Sequence, residues 1–341
     1  MLKGVMVWLW LVVDVAAWWD NGHMLVGEVA TQRMQPADVE TIHLLLRQWD
    51  SDFPNTGEIT TASIWPDLMK CNSVVSTFCP SELTPSWSLW NAWHYVNLPV
   101  PLQASHDDVD AVLATNLDGA ADRVLLGILQ TLRTTHSPWT ANQAVRLFIH
   151  IFGDVHNPLH AAATVSSDLP KGDLGGNALV LDQPCSAMNL HAMWDSIAGV
   201  YGTVNWTPDM DAESCNRRAV VANATRLLQA HGNTRDPVDF GQWRDAPYAV
   251  FERHARDLIK RVLLESHDVA DRVAYAGLNL TCERKNLQCH IPCPSAQYQR
   301  HVIETAEERI VVGGMRLSVI LTQFARQIRA LQLLNVDAGR P

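Results

Sequence analysis

Two pairs of histidine and aspartate at four-residue spacing each lie within a single predicted helix, His150/Asp154 and His191/Asp195. On a helix such residues share one face, so each pair presents an imidazole beside a carboxylate. The first pair lies in His150-Ile-Phe-Gly-Asp154-Val-His156-Asn-Pro-Leu-His160. Pro158 ends that helix and turns the chain before His160, so the helix offers two ligands and the turn a third. Asp67, in Ile-Trp-Pro-Asp, and His94, in Trp-His-Tyr-Val-Asn, come from separate segments and complete the cluster. Nitrogen and carboxylate oxygen without cysteine are a donor set for zinc, with positions left open for water.

Further donors precede these. Trp18-Trp19-Asp20-Asn21-Gly22-His23 follows an apolar leader, Met1–Ala17. The leader has Lys3, an apolar run from Val5 to Val13 interrupted afterwards by Asp14, and a small-residue exit at Val15-Ala16-Ala17. That is the pattern of a secretory signal peptide, too short for a membrane span. Cleavage after Ala17 would free the Trp18 amine, and that amine, the Trp18 carbonyl and His23 are close enough to share one ion. The donor set is then Trp18 (backbone), His23, Asp67, His94, His150, Asp154, His160, His191 and Asp195. At about three protein ligands per catalytic ion, it suits three zinc ions with one shared carboxylate. His156, two residues from Asp154, points to another side of the helix and is read as structural. His43, His106, His136, His231, His254, His267, His290 and His301 are read as core or capping residues.

The 341 residues that must position these donors carry a formal charge of −10, which argues against a broad basic nucleic-acid-binding face. An anionic substrate remains compatible, because bound cations supply the field locally. Seven cysteines in a secreted chain point to disulfides with one thiol left over. Cys71 with Cys79 is one expected bridge, and a second is expected within Cys282, Cys289 and Cys293. Asn205, Asn223 and Asn279 open glycosylation sequons.

Hydrophobic periodicity predicts helices over His23–Met34, Asp38–Trp49 with Asp38 as cap, and Thr60–Lys70 with a break at Pro66. Cys71–Pro85 reads as a loop, and Trp87, Trp90 and Trp93 as a packing stripe. A long helix is predicted over Asp107–Thr135. The next opens on the capping box Thr140-Ala-Asn-Gln143 and runs to about Val155. A short strand, half of a small hairpin, is placed at 177–181. Helices follow at Met188–Val200, Asp211–His231, Pro237–His267 and Ser295–Leu334. With no repeat, long linker or late membrane span, the expectation is one all-α domain over residues 18–341.

These motifs resemble the zinc-dependent class I nucleases: the single-strand-specific nucleases of fungi and plants and the 3′-nucleotidase/nucleases of protists. The resemblance runs through Trp18/His23, Trp65-Pro-Asp67, His94-Tyr95, the His150–His160 block, Gly175-Gly-Asn177, and Asn189-Leu-His191 with Trp194-Asp195. It continues in Glu265-Ser266-His267 and Gly314-Met-Arg-Leu. It implies one ion held by Asp67, His94, His150 and Asp154, and a second by His160, His191 and Asp195. The third would be held by Trp18, His23 and again Asp154. It also implies attack of a zinc-activated hydroxide on phosphorus, cutting single-stranded RNA and DNA to 5′-phosphates and removing 3′-phosphates from nucleotides. Asp67 would orient the water. Lys70, where the fungal enzymes carry arginine, would face the phosphate without the bidentate fork, a solvated surface lysine being the alternative. Tyr95 would stack the base and Asn97, where some members carry aspartate, would meet its edge. Stacking needs an unpaired base, so no stable duplex binding is implied. The rivals are a zinc phospholipase C, disfavoured by the Trp18/His23 spacing and Asp195, and a zinc-stabilised binding protein without catalysis.

Overall fold

The computed structural model describes residues 18–70, 86–100, 108–280, 283–285 and 288–334. The leader 1–17, Cys71, Cys79, His106 and Cys282 lie outside the described residues.

The fold is all-α. Helix α1 (Asp20–Arg33) begins with an acid and ends with a base, matching the helix dipole. Its residues 21–30 are all buried, so it is a central element rather than a surface one. It is followed by α2 (Pro36–Leu46), α3 (Ile59–Ala62) and α4 (Trp65–Leu68). Next come α5 (Val109–Leu113), α6 (Ala121–Thr134), α7 (Pro138–Asp154) and α8 (Leu190–Asp195). The last three are α9 (Cys215–His231), α10 (Tyr248–Val269) and α11 (Ala296–Ala330). Strands are confined to two patches among the described residues. β1 (Leu98–Val100) and β2 (Ala162–Thr164) pair in parallel. β3 (Leu179–Leu181), β4 (Glu283–Lys285) and β5 (Gln288–Ile291) form a sheet in the order β3-β5-β4. The strand expected near 177–181 therefore forms; its ladder partner is distant in sequence and parallel, its local antiparallel pairing is one bridge from Val180 to Asn189, and β4–β5 is a further antiparallel pair.

Several boundaries differ from expectation for local reasons. Pro36, with its fixed φ, opens α2, while Asp38 does not cap but pairs with Arg329 at 2.7 Å. The break before Asp67 falls at 63–64, and Pro66 sits in the first turn of α4. The predicted 107–135 helix is two helices, because residues 116–119 turn back to meet Tyr95. Gly119 has φ +97°, and a Cβ there would lie 2.2 Å from the Tyr95 carbonyl oxygen, so only glycine fits. Helix α7 is capped by Ser137, whose hydroxyl accepts from the Thr140 amide, rather than by Thr140. Helix α8 stops at Asp195, and the chain passes through left-handed Ile197 and Ala198. The helices expected from 211 and 237 begin at Cys215 and Tyr248. Cys293 pairs with Cys185 rather than within the Cys282–Cys293 group; Cys289 is also disulfide-bonded, and Cys215 is a free, exposed thiol.

Helix α11 is the scaffold, packing along α1 and against α2, α7 and α9. Gly314 permits the closest approach, since a Cβ there would lie 2.5 Å from the Val29 Cβ and 2.8 Å from the Val26 carbonyl oxygen. One apolar cluster joins α1, α2, α6, α7, α9, α10 and α11. A smaller one gathers Leu159, Leu190, Met193 and Trp194 with β3, β5 and the start of α11. Substituting Gly314→Ala adds about 1 kcal/mol of helix propensity but overpacks a backbone contact, a cost of about 1–3 kcal/mol. The clash dominates, so urea denaturation is expected to show a net loss of stability; an equal or higher midpoint would contradict the packing.

Candidate metal centre

Helix α7 is buried from Ala144 to Asp154, and its last turn delivers His150 and Asp154 with no exposed surface. His94 follows the 3₁₀ turn Ser86–Trp93 and precedes β1. Asp67 comes from α4 and His23 from the second turn of α1. His160 ends a 3₁₀ turn capped by Asn157, whose Oδ1 accepts from the Leu159 amide at 3.1 Å. His191 and Asp195 share one face of α8, which Asn189 caps by accepting from the Ala192 amide at 2.7 Å.

These segments bring the side-chain donors into three adjoining groups: His23/His150/Asp154, Asp67/His94/His150 and His160/His191/Asp195. Asp154 is the pivot. Its Oδ1 lies 3.1 Å from His23 Nε2, and its Oδ2 lies 2.9 Å from His94 Nδ1 and 3.4 Å from His150 Nε2. His150 Nε2 is 3.6 Å from Asp67 Oδ1 and 2.9 Å from His94 Nδ1. In the third group, Asp195 lies 3.1 Å from His191 Nε2 and 3.7 Å from His160 Nε2.

The outer ring nitrogens are fixed by backbone carbonyls. His150 Nδ1 donates to Ser63 (2.5 Å), His160 Nδ1 to His94 (3.0 Å) and His191 Nδ1 to Gly175 (2.7 Å). That leaves each Nε2 lone pair aimed into the cluster, the tautomer a metal ligand needs. His23 Nε2, His160 Nε2 and Asp154 Oδ1 are buried with no hydrogen bond, and Asp67 Oδ1 has only the Lys70 ammonium beside it. Orphaned buried polar atoms are costly, and a cation would satisfy all of them at once. The donors therefore fit a metal.

Electrostatics agree with the geometry. Burial, offset in part by Asp154, holds His150 down at about 3. Burial and then the Lys70 charge lower His94. Burial works to raise Asp154, yet His150 and His23 hold it well below the usual carboxylate range. Asp67 is likewise held low against burial, chiefly by Lys70. Neutral imidazoles and ionised carboxylates are the metal-ready states.

Trp18 is buried, and its indole N–H donates to the Gly153 carbonyl at 3.0 Å, fixing residue 18 beside the last turn of α7. Lys70 is not a solvated surface lysine: it is buried, with Nζ 2.5 Å from Asp67 Oδ1. Tyr95 is half-buried and donates its phenol proton to Asp118 Oδ2 at 2.9 Å. Asn97 is buried, its backbone N–H donating to Asn116 Oδ1 and to the Asp118 carbonyl. His156, read as structural, is buried. Its Nδ1 donates to the Phe152 carbonyl and its Nε2 accepts from Arg316.

Sequence reasoning missed the braces. Asn157 Nδ2 donates to Asp195 Oδ1 at 2.7 Å and so ties the α7 turn to α8. Arg309 donates to the His156 carbonyl and to Ser266, and both Arg309 and Arg316 pair with Glu265. The signal was present in the 265–267 and 314–317 motifs, which supply this bracing network and no donor.

Fold and site together define an all-α protein with a buried cluster of histidine and aspartate donors that could hold metal ions. Residues 18–326 match the S1/P1 Nuclease family, and the chain belongs to it. It is 23% identical to Endonuclease 5 of Arabidopsis thaliana over 332 residues, 95% of each chain. Endonuclease 1 of the same plant is 22% identical over 343 residues, covering 95% of this chain and 92% of that protein. Endonuclease 3 is 24% identical over 198 residues, and that match spans 58% of this chain and 59% of the relative's length.

Burial keeps His43, His94, His150 and His156 below their ordinary value of 6.5 in the folded chain. The unfolded chain binds more protons below that pH, so their contribution is full above 6.5 and is lost as pH falls. Each histidine contributes a slope of about 1.4 kcal/mol per pH unit at most. Asp20 and Asp173, both pushed up to about 6 by burial, oppose part of this below pH 6. The melting temperature of chelated protein is expected to fall from pH 7.5 to 5, and to fall more steeply below 6.5 than above it, because the four histidines outnumber the two aspartates. A flat profile would contradict buried neutral imidazoles.

Proposed function

We propose that the protein is a secreted three-zinc phosphoesterase that hydrolyses single-stranded RNA and DNA to 5′-phosphate products and removes 3′-phosphates from nucleotides. The observation that carries this is the convergence of three donor groups, two of them joined through His150 and Asp154, in a chain of the S1/P1 nuclease family. Asp67, His94, His150 and Asp154 would hold one ion, His160, His191 and Asp195 a second, and Trp18, His23 and Asp154 the third. When bound, these ions supply Lewis-acid activation of water and neutralise charge on the phosphate oxygens.

The chain's own groups do the rest. Asp67, ionised beside Lys70, accepts a hydrogen bond from the attacking water and aims its lone pair at phosphorus. The Lys70 ammonium adds positive charge at the phosphate edge of the same group. Tyr95, one residue after His94 and half-buried, offers a ring face on which an unpaired base stacks, worth about 1–3 kcal/mol. Asn97 belongs to the same segment, at the base-reading side. A paired base cannot reach that ring, which gives the preference for single strands. Secretion is supported by the leader pattern and the Cys185–Cys293 disulfide.

Metal analysis of the purified protein is expected to find about three zinc ions. Hydrolysis of 3′-AMP and single-stranded RNA should disappear on chelation and return with zinc. Fewer than two ions, or activity indifferent to chelation, would overturn the mechanism. Full loading with phosphatidylcholine as the better substrate would favour a phospholipase C, and full loading with no turnover a binding protein.

The place of Trp18 gives a second test. A single extra residue before Trp18 removes the free amine while leaving the indole contact to Gly153. Zinc content is expected to fall by one ion, with activity. Full loading and full activity in that variant would refute the role of Trp18 and leave the other two sites standing.

A further inference from the structure

A cavity of about 460 Å³ opens at the far end of α1 from the metal centre. His23 and Arg33 are ten residues apart on that helix, about 15 Å along its axis. Arg33, Arg235, Arg244 and Arg316 line the cavity, with Asp236 and Asp239. Arg316 forms the floor and is fully engaged: it donates to Asp236 Oδ1 at 2.6 Å, to Glu265 Oε2 at 2.6 Å and to His156.

The other three arginines are not neutralised. Arg244 donates only to neutral acceptors: Ser318 Oγ at 3.0 Å, Thr322 Oγ1 at 3.4 Å and the Arg33 carbonyl at 3.5 Å. The carboxylates around it are taken, Asp245 by Arg326 and Asp38 by Arg329, at 2.8 and 2.7 Å. Arg33 and Arg235 make no ion pair among the described residues. Asp239 is the lining carboxylate without an arginine, and it accepts from Gln242 at 2.9 Å. Three guanidinium groups with no ion pair among the described residues thus line the cavity with one carboxylate that no arginine holds, on a chain whose formal charge is −10. Like charges gathered around a cavity repel unless an anion joins them. Burial, then the Arg33 and Arg326 charges, press the Arg244 guanidinium below its ordinary range, as an unmet cation should be.

We infer that this cavity is a second anion site that takes a phosphate group, bound by Arg33, Arg235 and Arg244 and remote from the metal centre. Guanidinium forks match phosphate oxygens in pairs, and the volume admits a phosphate with an attached nucleoside. The phosphate has two sources: the backbone of a long strand whose other end lies in the metal centre, or a free phosphate or mononucleotide.

Isothermal titration of the metal-loaded protein with inorganic phosphate is expected to show one more bound ion than titration of Arg33→Glu/Arg235→Glu. In the variant, affinity at this site should drop by about tenfold or more. Both substituted side chains are exposed, and the half-buried Arg244 is tested separately as Arg244→Gln, with the same expected loss. KM for a dodecadeoxyadenylate against a dinucleotide separates the sources. A strand occupant raises KM for the dodecamer alone in the variant, with kcat kept. A free-phosphate occupant leaves both KM values unchanged and alters only the titration. Equal phosphate counts together with equal KM ratios in wild type and variants would overturn the site. The titration needs no turnover, so it stands apart from the phosphoesterase reading.

Discussion

The structure depends on one buried charge. Asp154 is fully enclosed, and an isolated carboxylate in such a place would protonate rather than stay ionised. It is kept anionic by imidazoles that approach both of its oxygens. Yet burial also favours the neutral form of His94 and His150. An anion surrounded by neutral lone pairs is electrostatically incomplete, which is why this arrangement calls for cations rather than merely tolerating them. Lys70 and Asp67 extend the same pattern toward the surface.

The donors sit on the seam between two apolar clusters. His23, His150 and Asp154 project from helices of the larger one, while His160 and His191 lie beside Leu159, Leu190 and Trp194 of the smaller. Asn157 crosses the seam to reach Asp195. The Cys185–Cys293 disulfide ties the loop before α8 to the start of α11 on the side of the smaller cluster. Behind α7, Arg309, Arg316 and Glu265 hold the His156 turn from below. Relative motion of the two clusters would separate the donors, and these ties oppose it.

What could be read from the sequence was local. His150/Asp154 and His191/Asp195 are periodic signals, and α7 and α8 carry them as the spacing required. The all-α class followed from the same periodicity. What could not be read was set by contacts distant in sequence. The 107–135 segment is periodic throughout, but it breaks because residues 116–119 must meet Tyr95. β3 takes its main partner in β5, more than a hundred residues later, while the expected local hairpin is reduced to one antiparallel bridge between Val180 and Asn189. Asp38 is a good cap by residue type, yet Arg329 of the last helix claims it. The motifs at Glu265 and Gly314 stood out without a role, because bracing a turn from behind leaves no ligand-like spacing.

The order of the chain has a consequence for biosynthesis. Every histidine and aspartate of the centre has been added to the chain by residue 195, whereas α11, against which α1 packs, is complete only at Ala330. The nascent polypeptide therefore displays all of these side chains before the scaffold that fixes their spacing exists. N-terminal elements that begin to fold during translation cannot yet lock α1 in place. Formation of the centre is a late event, timed by the last helix, and shortening the C-terminus would disperse it without removing one of these side chains.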